Sequence, residues 1–510
     1  MIVLNVENSR LLDELTVKNG SVTIRELIKS SGECIAGHIA DNFSKTSAIL
    51  FVCGKGNNGA DGIAAAIILH NQGYNVSIFI PSIQLSEETM FYYNEALAQN
   101  IVIVSEIGEY DIYIDGLLGT GFSGEIKGEY LDIIEKINNF HDTGKTVIAI
   151  DIPSGVNGDS GEVNGAAIKA DMTLALAALK TGYYLHDGAD FTGEVTLFDI
   201  GISHDIYAQV EVVANVINES DVKKLLPKRY NNSYKGSSGY LLTIAGSVGM
   251  LGAAITAIRS SYYSGAGLVS AAAAEDTVLP LNTAFSDAVY VELPNNPNGK
   301  ISYRSLPVLL EKVKECNAAL IGPGMDITGS RELLVADFVK NAGLPLVIDA
   351  SALTAIAKNN PQKILSARKY ETILTPHPGE MARLLNRPIK ECEENRIETA
   401  KQAAREFDSV VVYKGGKAVI AAPDGRVYIN PAGNGALAVA GTGDMLAGII
   451  SGLLAGGLTA FDAAIIGAYI GGKCAEEYIK NNCIISGTAT DLVSYVPYVL
   501  HCIENQLDNI

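Results

Sequence analysis

The chain has 510 residues, and because one hydrophobic core seldom extends over so many, the length predicts two or three domains. Hydrophobic residues make up 48% of the sequence and charged residues only 19%, which argues against long disordered tails. The net charge of −19 repels phosphate backbones and excludes nucleic acid as an expected partner, although a few glycine amides can still bind the phosphate of a nucleotide.

In the first half of the chain, short apolar runs alternate with amphipathic segments. Several runs are apolar throughout, as expected of strands that are covered on both faces. Helices are predicted over residues 62–72, 86–99 and 130–140. The predicted strands are 48–53, 76–80, 112–115, 147–151, 173–176 and 195–198. This alternation predicts a Rossmann-like, doubly wound parallel sheet.

Three motifs follow predicted strands of this half. The stretch 53–62, CGKGNNGADG, precedes a helix expected to begin near Ala60, and the N-terminal amides of that helix would face an anion. The second motif places Asp115 at a strand end, and the third contains Asp151 and Ser154. Each motif alone is more typical of an ordinary strand-to-helix turn with an Asp or Asn cap. Together they favour a ligand site, because ligands gather at the carboxyl ends of parallel strands.

The oxygen-bearing side chains of these motifs suggest two roles. Asn58, Asp115 and Ser154 offer hard oxygen ligands to a cation. Asp151 is a candidate catalytic residue, because a carboxylate at a strand end can transfer a proton to or from a ligand.

The GxGNNGxDG, DGLLGTG and DIPSG series resembles the epimerase domain of NAD(P)H-hydrate repair enzymes, over residues 1–213. The resemblance implies interconversion of the R and S epimers of hydrated NADH and NADPH, with a potassium ion at Asn58, Asp115 and Ser154. It implies the following substrate-binding positions: Asn57, Asn58, Gly59, Ala60, Asp61, Gly119, Thr120, Gly121, Phe122, Ser123, Gly124, Glu125 and Asp151. At Ala60 the family usually has glycine, and the extra methyl is expected to be tolerated unless the position requires positive φ. The first thirty residues match loosely and receive no site residue.

A polar and basic stretch, 221–233, separates the two halves and contains the turn-forming pair Asn231-Asn232. It is interpreted either as an interdomain linker or as the entry to the second domain. The predicted domains are accordingly 1–217 and 218–510.

The second half repeats the alternation of strands and helices and predicts a second α/β domain. Its last two strands, separated by Gly415-Gly416-Lys417, predict a hairpin, and the apolar stretch 445–454 predicts a buried helix. The predicted strands are 240–245, 268–272, 319–321, 346–349, 372–375, 410–414 and 418–421.

The sequence Gly441-Thr442-Gly443-Asp444 precedes this buried helix. Glycines allow the backbone to approach a phosphate closely, and the helix dipole favours an anion there by about 0.3–1 kcal/mol. Asp444 can then exchange a proton with a substrate hydroxyl while the amides stabilise a transferring phosphoryl group. An Asp that only caps the helix explains the motif equally well, so GTGD alone does not decide between the two interpretations.

Four further motifs follow strands of the second half and favour a ligand cleft. The prolines of TPHPGE are expected to hold His377 in an extended loop, although a surface loop histidine is the simpler interpretation. The loop 414–418, KGGKA, either cradles phosphates or only forms a hairpin turn. Glycines also follow strands at 246–254 and 321–325.

Together the TPHPGE, GPGM, KGGKA and GTGD motifs resemble the ribokinase-like superfamily, specifically ADP-dependent NAD(P)H-hydrate dehydratase, over about residues 218–500. The resemblance implies dehydration of the S hydrate to NADH or NADPH, with ADP, accompanied by magnesium, converted to AMP and phosphate. Asp444 would be catalytic, and the loop Asn434-Gly-Ala-Leu437 departs from the family's Asn-Pro-Gly-Met. The implied nucleotide contacts are Lys414, Gly415, Gly416, Lys417, Ala418 and Gly443, and the implied hydrate contacts are Ala253, Gly324, His377 and Asp444.

Three hypotheses follow. The first is a bifunctional repair enzyme, an isomerase and lyase in one chain. The second is a ribokinase-like kinase of a vitamin precursor with a regulatory N-terminal domain, and the third is a binding protein that has lost catalysis.

Other features predict where and with what such a protein would work. The seven scattered cysteines form no CxxC pair, so neither a disulfide framework nor a zinc site is expected. Residues 1–14 lack the features of a signal peptide, and the most apolar stretch, 445–458, is shorter than the about 20 residues that span a bilayer. A cytoplasmic homo-oligomer that binds small molecules, and neither nucleic acid nor membrane, is expected.

Overall fold

The computed structural model describes residues 1–19, 22–82, 84–122, 124–296, 300–327 and 329–505. It contains two compact units, Met1–Asn215 and Val216–Ile510. The division into domains 1–217 and 218–510 stays a prediction.

The N-terminal unit contains a seven-stranded parallel sheet and a small second sheet. The ten strands are β1 Ile2–Leu4, β2 Ala48–Cys53, β3 Asn75–Phe79, β4 Val102–Val104, β5 Ile112–Gly116, β6 Thr146–Ile150, β7 Met172–Leu176, β8 Leu179–Lys180, β9 Glu194–Phe198 and β10 Ala214–Val216. The large sheet has the order β4-β3-β2-β5-β6-β7-β9, and β1 pairs with both β8 and β10. The helices are α1 Val6–Asn19, α2 Ile24–Asn42, α3 Asn57–Asn71, α4 Glu87–Ala98, α5 Glu129–Asp142, α6 Gly188–Phe191 and α7 His204–Tyr207.

Both faces of the large sheet are covered, which explains why its strands are apolar throughout. On β2, Ile49 and Phe51 belong to the core on one face, together with α2 and α3. Leu50 and Val52 belong to the core on the other face, together with α5. The predicted doubly wound architecture is therefore confirmed.

Helix α3 begins earlier than the sequence prediction placed it. The expected start near Ala60 is wrong, because Gly56 is already the N-cap and Asn57 is the first helical residue. Asn57, Asn58 and Gly59 thus form the first turn of the helix rather than a loop that precedes it. Asn is a weak helix former because its side chain competes for the hydrogen bonds of the backbone. In the first turn this competition destabilises the helix little, since the backbone N–H groups there have no intrahelical partner.

The C-terminal unit contains a nine-stranded sheet of order β13-β12-β11-β14-β15-β16-β17-β18-β19, parallel as far as β17 and antiparallel beyond. Its strands are β11 Tyr240–Ile244, β12 Leu268–Ala274, β13 Val289–Leu293, β14 Ala318–Ile321, β15 Leu346–Ile348, β16 Thr372–Leu374, β17 Val410–Tyr413, β18 Val419–Ala421 and β19 Val427–Ile429. The predicted hairpin at 415–417 is confirmed as the turn between β17 and β18.

The helices of this unit include α18, which confirms the buried helix predicted over 445–454. They are α8 Glu219–Leu225, α9 Leu251–Tyr263, α10 Glu275–Ala284, α11 Leu306–Val313, α12 Ser330–Asn341, α13 Ala350–Lys358, α14 Pro361–Leu365, α15 Pro378–Leu385, α16 Ile389–Glu394, α17 Arg396–Phe407, α18 Thr442–Ala455, α19 Ala460–Ile479, α20 Ala489–Val493 and α21 Val496–Asn505. Among the described residues, no helix is long and apolar enough to cross a membrane.

Several short or half-exposed strands were not predicted from the sequence. The edge strands β4 and β13 are partly exposed, with Val102 57% and Val289 45% accessible. β4 has only three residues, and β13 is interrupted by Glu292. The stretch interpreted as a linker also has structure, since Asn218 caps α8 and Val222 is fully buried in the core of the C-terminal unit. The stretch is therefore the entry to that unit.

Two candidate active sites

A cavity of about 850 Å³ lies at the carboxyl edge of the large N-terminal sheet. The turns after β2, β5 and β6 form its floor, and α1 and α2 supply further walls. Nine of the predicted substrate-binding residues line it, namely Asn57, Asn58, Gly59, Asp61, Gly119, Thr120, Gly121, Phe122 and Asp151. The structure thus brings together the three motifs that are far apart in the sequence.

The other predicted positions behave differently. Ala60 is buried inside α3 and is not among the residues with positive φ, so its methyl group causes no backbone strain. Gly124 and Glu125 do not line the cavity, and Glu125 pairs with Lys127 at 2.6 Å. Ser123 lies outside the described residues.

The first turn of α3 borders this cavity, and in the part of the chain that the structure describes no side chain caps its amides. Its N-cap, Gly56, provides no side-chain hydrogen bond to the helix. Gly59 must be glycine, because a Cβ there would lie 2.0 Å from the carbonyl oxygen of Gly54. The amides of this turn and the helix dipole together form a site for an anion.

Asp151 is held in an unusual backbone conformation by several contacts. Its φ is +59°, a region that L-residues adopt at a cost of about 1–3 kcal/mol and that is enriched at functional sites. The amide of Leu176 donates to its carboxylate at 3.2 Å, the buried ammonium of Lys180 pairs with the same oxygen, and the Tyr183 hydroxyl donates to its carbonyl. The carboxyl group is therefore fixed at the cavity floor.

Two further charged groups in this cavity were missed from the sequence. Lys180 is 3% exposed and lines the cavity beside Asp151. Asp13 enters the same cavity from α1, and burial raises the pKa of Asp13 to about 6, although the positive charge of Lys180 opposes the shift. Burial, followed by the charges of Asp151 and Asp13, raises the pKa of Asp61 well above its usual range.

The three predicted cation ligands meet below the cavity. The Ser154 hydroxyl donates to the Asp115 carboxylate at 2.6 Å, and the Asn58 amide donates to the Leu118 carbonyl at 2.8 Å. The Leu118 amide donates to the Ser154 hydroxyl at 2.8 Å. Burial raises the pKa of Asp115 to about 6, although hydrogen bonds from Ser154 and Leu117 lower it in part. Within the described residues the Asn58 Oδ1 atom is buried without a partner, so an oxygen ligand is available there.

The second site lies at the carboxyl ends of β15, β16 and β17. Lys414 follows β17, and its ammonium lies 2.8 Å from the Asp349 carboxylate and 3.9 Å from the Glu380 carboxylate. The Thr375 hydroxyl also donates to Asp349, at 2.7 Å. Burial lowers the pKa of Lys414, but the charges of Asp349 and Glu380 more than offset this, and the net pKa is raised.

Asp444 lies in the first turn of α18, beside this lysine. The N-cap is Gly441, with φ +96°, so Asp444 is not the capping residue, and within the described ranges no side chain caps the first amides of the helix. In the described part of the chain, no donor is bonded to the Asp444 carboxyl group. Burial and the charge of Asp349 raise the pKa of Asp444 to about 7, while Lys414 lowers it in part. A carboxyl group of this kind is poised to exchange a proton near neutral pH.

His377 has an extended backbone, as expected, and it is the N-cap of α15, directly before the first helical residue. Its ring nitrogen Nδ1 accepts from the Gly379 amide at 3.0 Å, and its own amide donates to Glu380 at 2.9 Å. Pro378 occupies the first helical position, where proline is favoured, and this explains why a helix begins there. Burial raises the pKa of Glu380 and the charge of Lys414 lowers it in part, so that the net pKa is about 7.

The predicted hydrate contacts Ala253 and Gly324 are neighbours. A Cβ on Gly324 would lie 2.9 Å from the Ala253 Cβ and 2.5 Å from the Met250 carbonyl oxygen. The Ser247 hydroxyl also donates to the Gly324 carbonyl at 2.8 Å. The turns after β11 and β14 are therefore in close contact, and side chains larger than those present would separate them.

The residues of the KGGKA loop differ in their surroundings. A Cβ placed on Gly443 would lie 3.3 Å from the Lys414 Nζ atom, so the ammonium is close to this glycine. Gly415 packs against the Arg396 guanidinium, where a Cβ would be 2.3 Å away, whereas Gly416 has open space. The Lys417 ammonium donates to the carbonyls of Pro431 and Gly433 and so points toward the loop before Asn434.

The loop that departs from the family pattern forms a short 3-10 helix, Gly435–Leu437. The Asn434 side chain accepts from the Ala436 amide at 3.0 Å and caps this turn. The Leu437 carbonyl accepts from the Thr442 hydroxyl at 2.9 Å, and the loop is thereby tied to the start of α18.

Asp349 and Glu380 were also missed as site residues. Asp349 is the last residue of the predicted strand 346–349 and Glu380 ends the TPHPGE motif, and both look like ordinary strand-end or turn carboxylates in the sequence. Asp349 is 1% exposed and Glu380 6%, and only the pairing of β15, β16 and β17 brings them to Lys414. Carboxylates directly after neighbouring parallel strands were the available signal.

Comparison with known proteins agrees with this geometry. A family model described as NAD(P)H-hydrate dehydratase matches residues 241–498, and one described as YjeF-related protein N-terminus matches residues 24–182. The bifunctional NAD(P)H-hydrate repair enzyme of Moorella thermoacetica is 34% identical, covering 98% of this chain and 96% of its own. That of Thermofilum pendens is 30% identical, covering 100% and 98%.

A solved structure is similar to the C-terminal unit. The ADP/ATP-dependent NAD(P)H-hydrate dehydratase from Bacillus subtilis, co-crystallised with ATP and Mg²⁺, is 33% identical with a TM-score of 0.51 and covers 57% of this chain and 99% of its own. Both family models and full-length relatives match, and the chain belongs to the family of bifunctional NAD(P)H-hydrate repair enzymes, which join an epimerase domain to a dehydratase domain.

Proposed function

We propose that the N-terminal cavity epimerises hydrated NADH and NADPH and that the site around Asp444 dehydrates the S epimer at the expense of ADP. The observation that carries this proposal is the position of Asp444, which combines a pKa near 7 with the amides of the first turn of α18 and the ammonium of Lys414. A proton acceptor, a phosphate site and a cation are thus together at one helix terminus.

The chemistry of the substrate explains why a kinase-like site suits a dehydration. Water adds to the enamine double bond of a reduced nicotinamide ring, so the hydroxyl is bonded to the carbon next to the ring nitrogen. Hydroxide is a poor leaving group, whereas phosphate is a good one. Phosphorylation followed by elimination of phosphate restores the reduced ring and leaves AMP.

In this scheme Asp444 accepts the proton of the substrate hydroxyl as the oxygen attacks the terminal phosphorus of ADP. The amides of Gly441 to Gly443 and the Lys414 ammonium hold the charge that develops on the transferring group. The proposed nucleotide contacts are Lys414, Gly415, Gly416, Lys417, Ala418 and Gly443, and the proposed hydrate contacts are Ala253, Gly324, His377 and Asp444.

Magnesium is the expected companion of the nucleotide. The carboxylates of Asp349, Glu380 and Asp444 around one lysine give the oxygen-rich setting that magnesium and phosphates share. When bound, the ion would neutralise charge on the phosphates.

The N-terminal cavity would exchange the two epimers. Asp151, paired with Lys180, supplies a proton-transfer group, and the first turn of α3 binds a phosphate of the dinucleotide. The proposed substrate contacts are those that line the cavity, and Ala60, Ser123, Gly124 and Glu125 stay predictions.

Potassium is proposed at Asn58, Asp115 and Ser154. The unpartnered Asn58 Oδ1, the Asp115 carboxylate and the Ser154 hydroxyl fit a hard monovalent cation. The ion would hold the turns after β2, β5 and β6 in register and so shape the cavity floor. Replacing potassium by tetramethylammonium should slow epimer exchange, and Asn58→Ala should remove the dependence on potassium; an unchanged rate in both tests would remove the ion from the proposal.

One experiment tests the proposal as a whole. Purified protein is incubated with an R and S mixture of hydrated NADH and with ADP or ATP, and cofactor absorbance and nucleotide products are followed. Full recovery of NADH with stoichiometric AMP and phosphate is expected with ADP. No recovery with either nucleotide would overturn the proposal, and a stable phosphorylated product would favour the vitamin-precursor kinase instead. A homo-oligomer and a cytoplasmic location stay predictions.

A further inference from the structure

Asp13 is a charged side chain that the proposed mechanism does not yet use. It lies in α1 and lines the same cavity as Asp151 and Lys180, although α1 is not part of the sheet edge that carries the three motifs. In the described residues its carboxyl group has no hydrogen-bond donor. A carboxyl group without a structural partner, facing a substrate-sized cavity, is free to act on what the cavity binds.

The surroundings of Asp13 set its charge state. The Asp13 side chain is exposed where it faces the open cavity. The protein atoms around its carboxyl group partly desolvate it and raise its pKa to about 6, while Lys180 lowers the pKa and Asp151 and Glu14 raise it. The titratable and charged groups that face it are Glu14 from α1, Asp61 from α3, Asp151 after β6, Lys180 at β8 and Tyr207 from α7. Near neutral pH the group can therefore give up and take back a proton.

Epimer exchange needs two proton-transfer groups. The hydroxyl-bearing carbon is bonded to the ring nitrogen, so its configuration is lost when the carbon–nitrogen bond breaks and the hydroxyl becomes an aldehyde. One group must take the hydroxyl proton, and another must protonate the departing nitrogen. Asp151 and Lys180 form one ion pair and account for only one of these roles.

We propose that Asp13 is a further catalytic residue of the epimerase and is the base that takes the hydroxyl proton. The oxygen electrons form the C=O bond, the carbon–nitrogen bond breaks, and the nitrogen receives a proton from Lys180, which Asp151 holds in place. Breaking the carbon–nitrogen bond opens the ring, and the aldehyde group then rotates about the carbon–carbon single bond that still joins it to the rest of the opened ring. The nitrogen attacks the other face and returns its proton to Lys180, and Asp13 returns its proton to the oxygen. Atoms and charges are the same at the end as at the start.

This inference rests on the proposed epimerase function, and the test separates the two. The exchange rate between R and S hydrated NADH is measured for the wild type, Asp13→Asn, Asp13→Glu and Glu7→Gln, in full-length protein with potassium. Glu7 lies in the same helix but outside the cavity, so its variant controls for charge removal on α1. Dehydration of pure S hydrate with ADP, measured on the same samples, checks that each protein is folded.

We expect Asp13→Asn to lower kcat for exchange at least about 100-fold, the usual contribution of a general base, with KM changed less than threefold. Asp13→Glu should keep part of the rate, and Glu7→Gln should match the wild type. In the wild type kcat should rise with pH through about 6, since the ionised carboxylate is the active form, and Asp13→Asn should lose this dependence. Exchange by Asp13→Asn within fivefold of wild type, or an effect on KM alone, would overturn the role of Asp13. No exchange by the wild type would instead overturn the proposed epimerase function, and this inference with it.

Discussion

The two candidate sites share one arrangement and differ in how it is connected. In the N-terminal cavity, buried Lys180 is surrounded by Asp13, Asp61 and Asp151. In the C-terminal site, buried Lys414 is surrounded by the carboxylates Asp349, Glu380 and Asp444. In each site a lysine ammonium therefore lies among carboxyl groups near the carboxyl ends of parallel strands.

The difference lies in which carboxylate the lysine binds directly. Lys180 binds Asp151 itself, so the ion pair acts as a unit and a second proton-transfer group is needed elsewhere in the cavity. Lys414 binds Asp349 and leaves Asp444 without a donor, with its pKa raised to about 7. The same residue types thus give a fixed pair in one site and a free base in the other.

The largest effect is expected from Asp444→Asn, because an amide cannot accept the hydroxyl proton. Recovery of NADH from S hydrate with ADP should fall about 100- to 10,000-fold, while epimer exchange continues at the wild-type rate. Asp424→Asn, in the exposed turn between β18 and β19, is the matched control and should leave both activities unchanged. Dehydration by Asp444→Asn at more than a tenth of the wild-type rate would remove Asp444 as the base.

Asp151→Asn tests the fixed pair of the N-terminal site. Since Lys180 loses the partner that positions it, exchange should slow about 100-fold or more, while dehydration of pure S hydrate persists. Asp142→Asn, at the exposed end of α5, controls for a change of charge in the same unit. If Asp151→Asn and Asp444→Asn each abolished both activities, the assignment of separate sites would be wrong.

A smaller effect is expected in the pH profile of dehydration. The rate should rise with pH through about 7, because Asp444 must be ionised to accept a proton. Asp349→Asn removes a negative charge that raises this pKa and frees Lys414, which lowers it, so the rise should move to lower pH. Rates with saturating ADP between pH 5 and 9 measure the shift, and a profile that moves to higher pH would contradict the proposed coupling.

The smallest effect concerns stability. Because the pKa of Asp444 is raised on folding, its ionisation costs stability, and this cost is absent below about pH 4, grows as the pH approaches 7 and is complete above it. Asp444→Asn should therefore raise the Tm of the C-terminal unit at pH 8 by a few degrees, at about 2–4 °C per kcal/mol, and leave it unchanged near pH 4. Calorimetry of the variant and the wild type at both pH values measures the change in Tm. If the two proteins had the same Tm at pH 8, burial of the Asp444 carboxylate would cost no stability.

The sequence located the parts of each site that belong to glycine-containing motifs. Asp115 lies near the end of β5, Asp151 directly after β6 and Asp444 in the first turn of α18, and each motif is visible in the local sequence. The carboxyl ends of neighbouring parallel strands necessarily share one edge, so the assembly of these motifs was also predictable.

The charged groups that complete the sites were not predictable in this way. Asp13 lies in a helix whose residues look like those of a solvated surface, and Lys180 lies in a two-residue strand. Asp349 reaches Lys414 only because β15, β16 and β17 pair in that order. Burial and pKa depend on these long-range contacts, which no local pattern contains. The start of α3 was missed for a related reason, since its asparagines disfavour a helix in isolation.

Complementation between the two inactive variants tests the central claim most directly. Asp151→Asn should convert only the S fraction of an R and S mixture rapidly to NADH, and Asp444→Asn should convert none. Mixed in equal amounts, the two proteins should restore full recovery with ADP at close to the wild-type rate, because one supplies exchange and the other dehydration. A mixture that stops at the S fraction would contradict two independent sites in one chain.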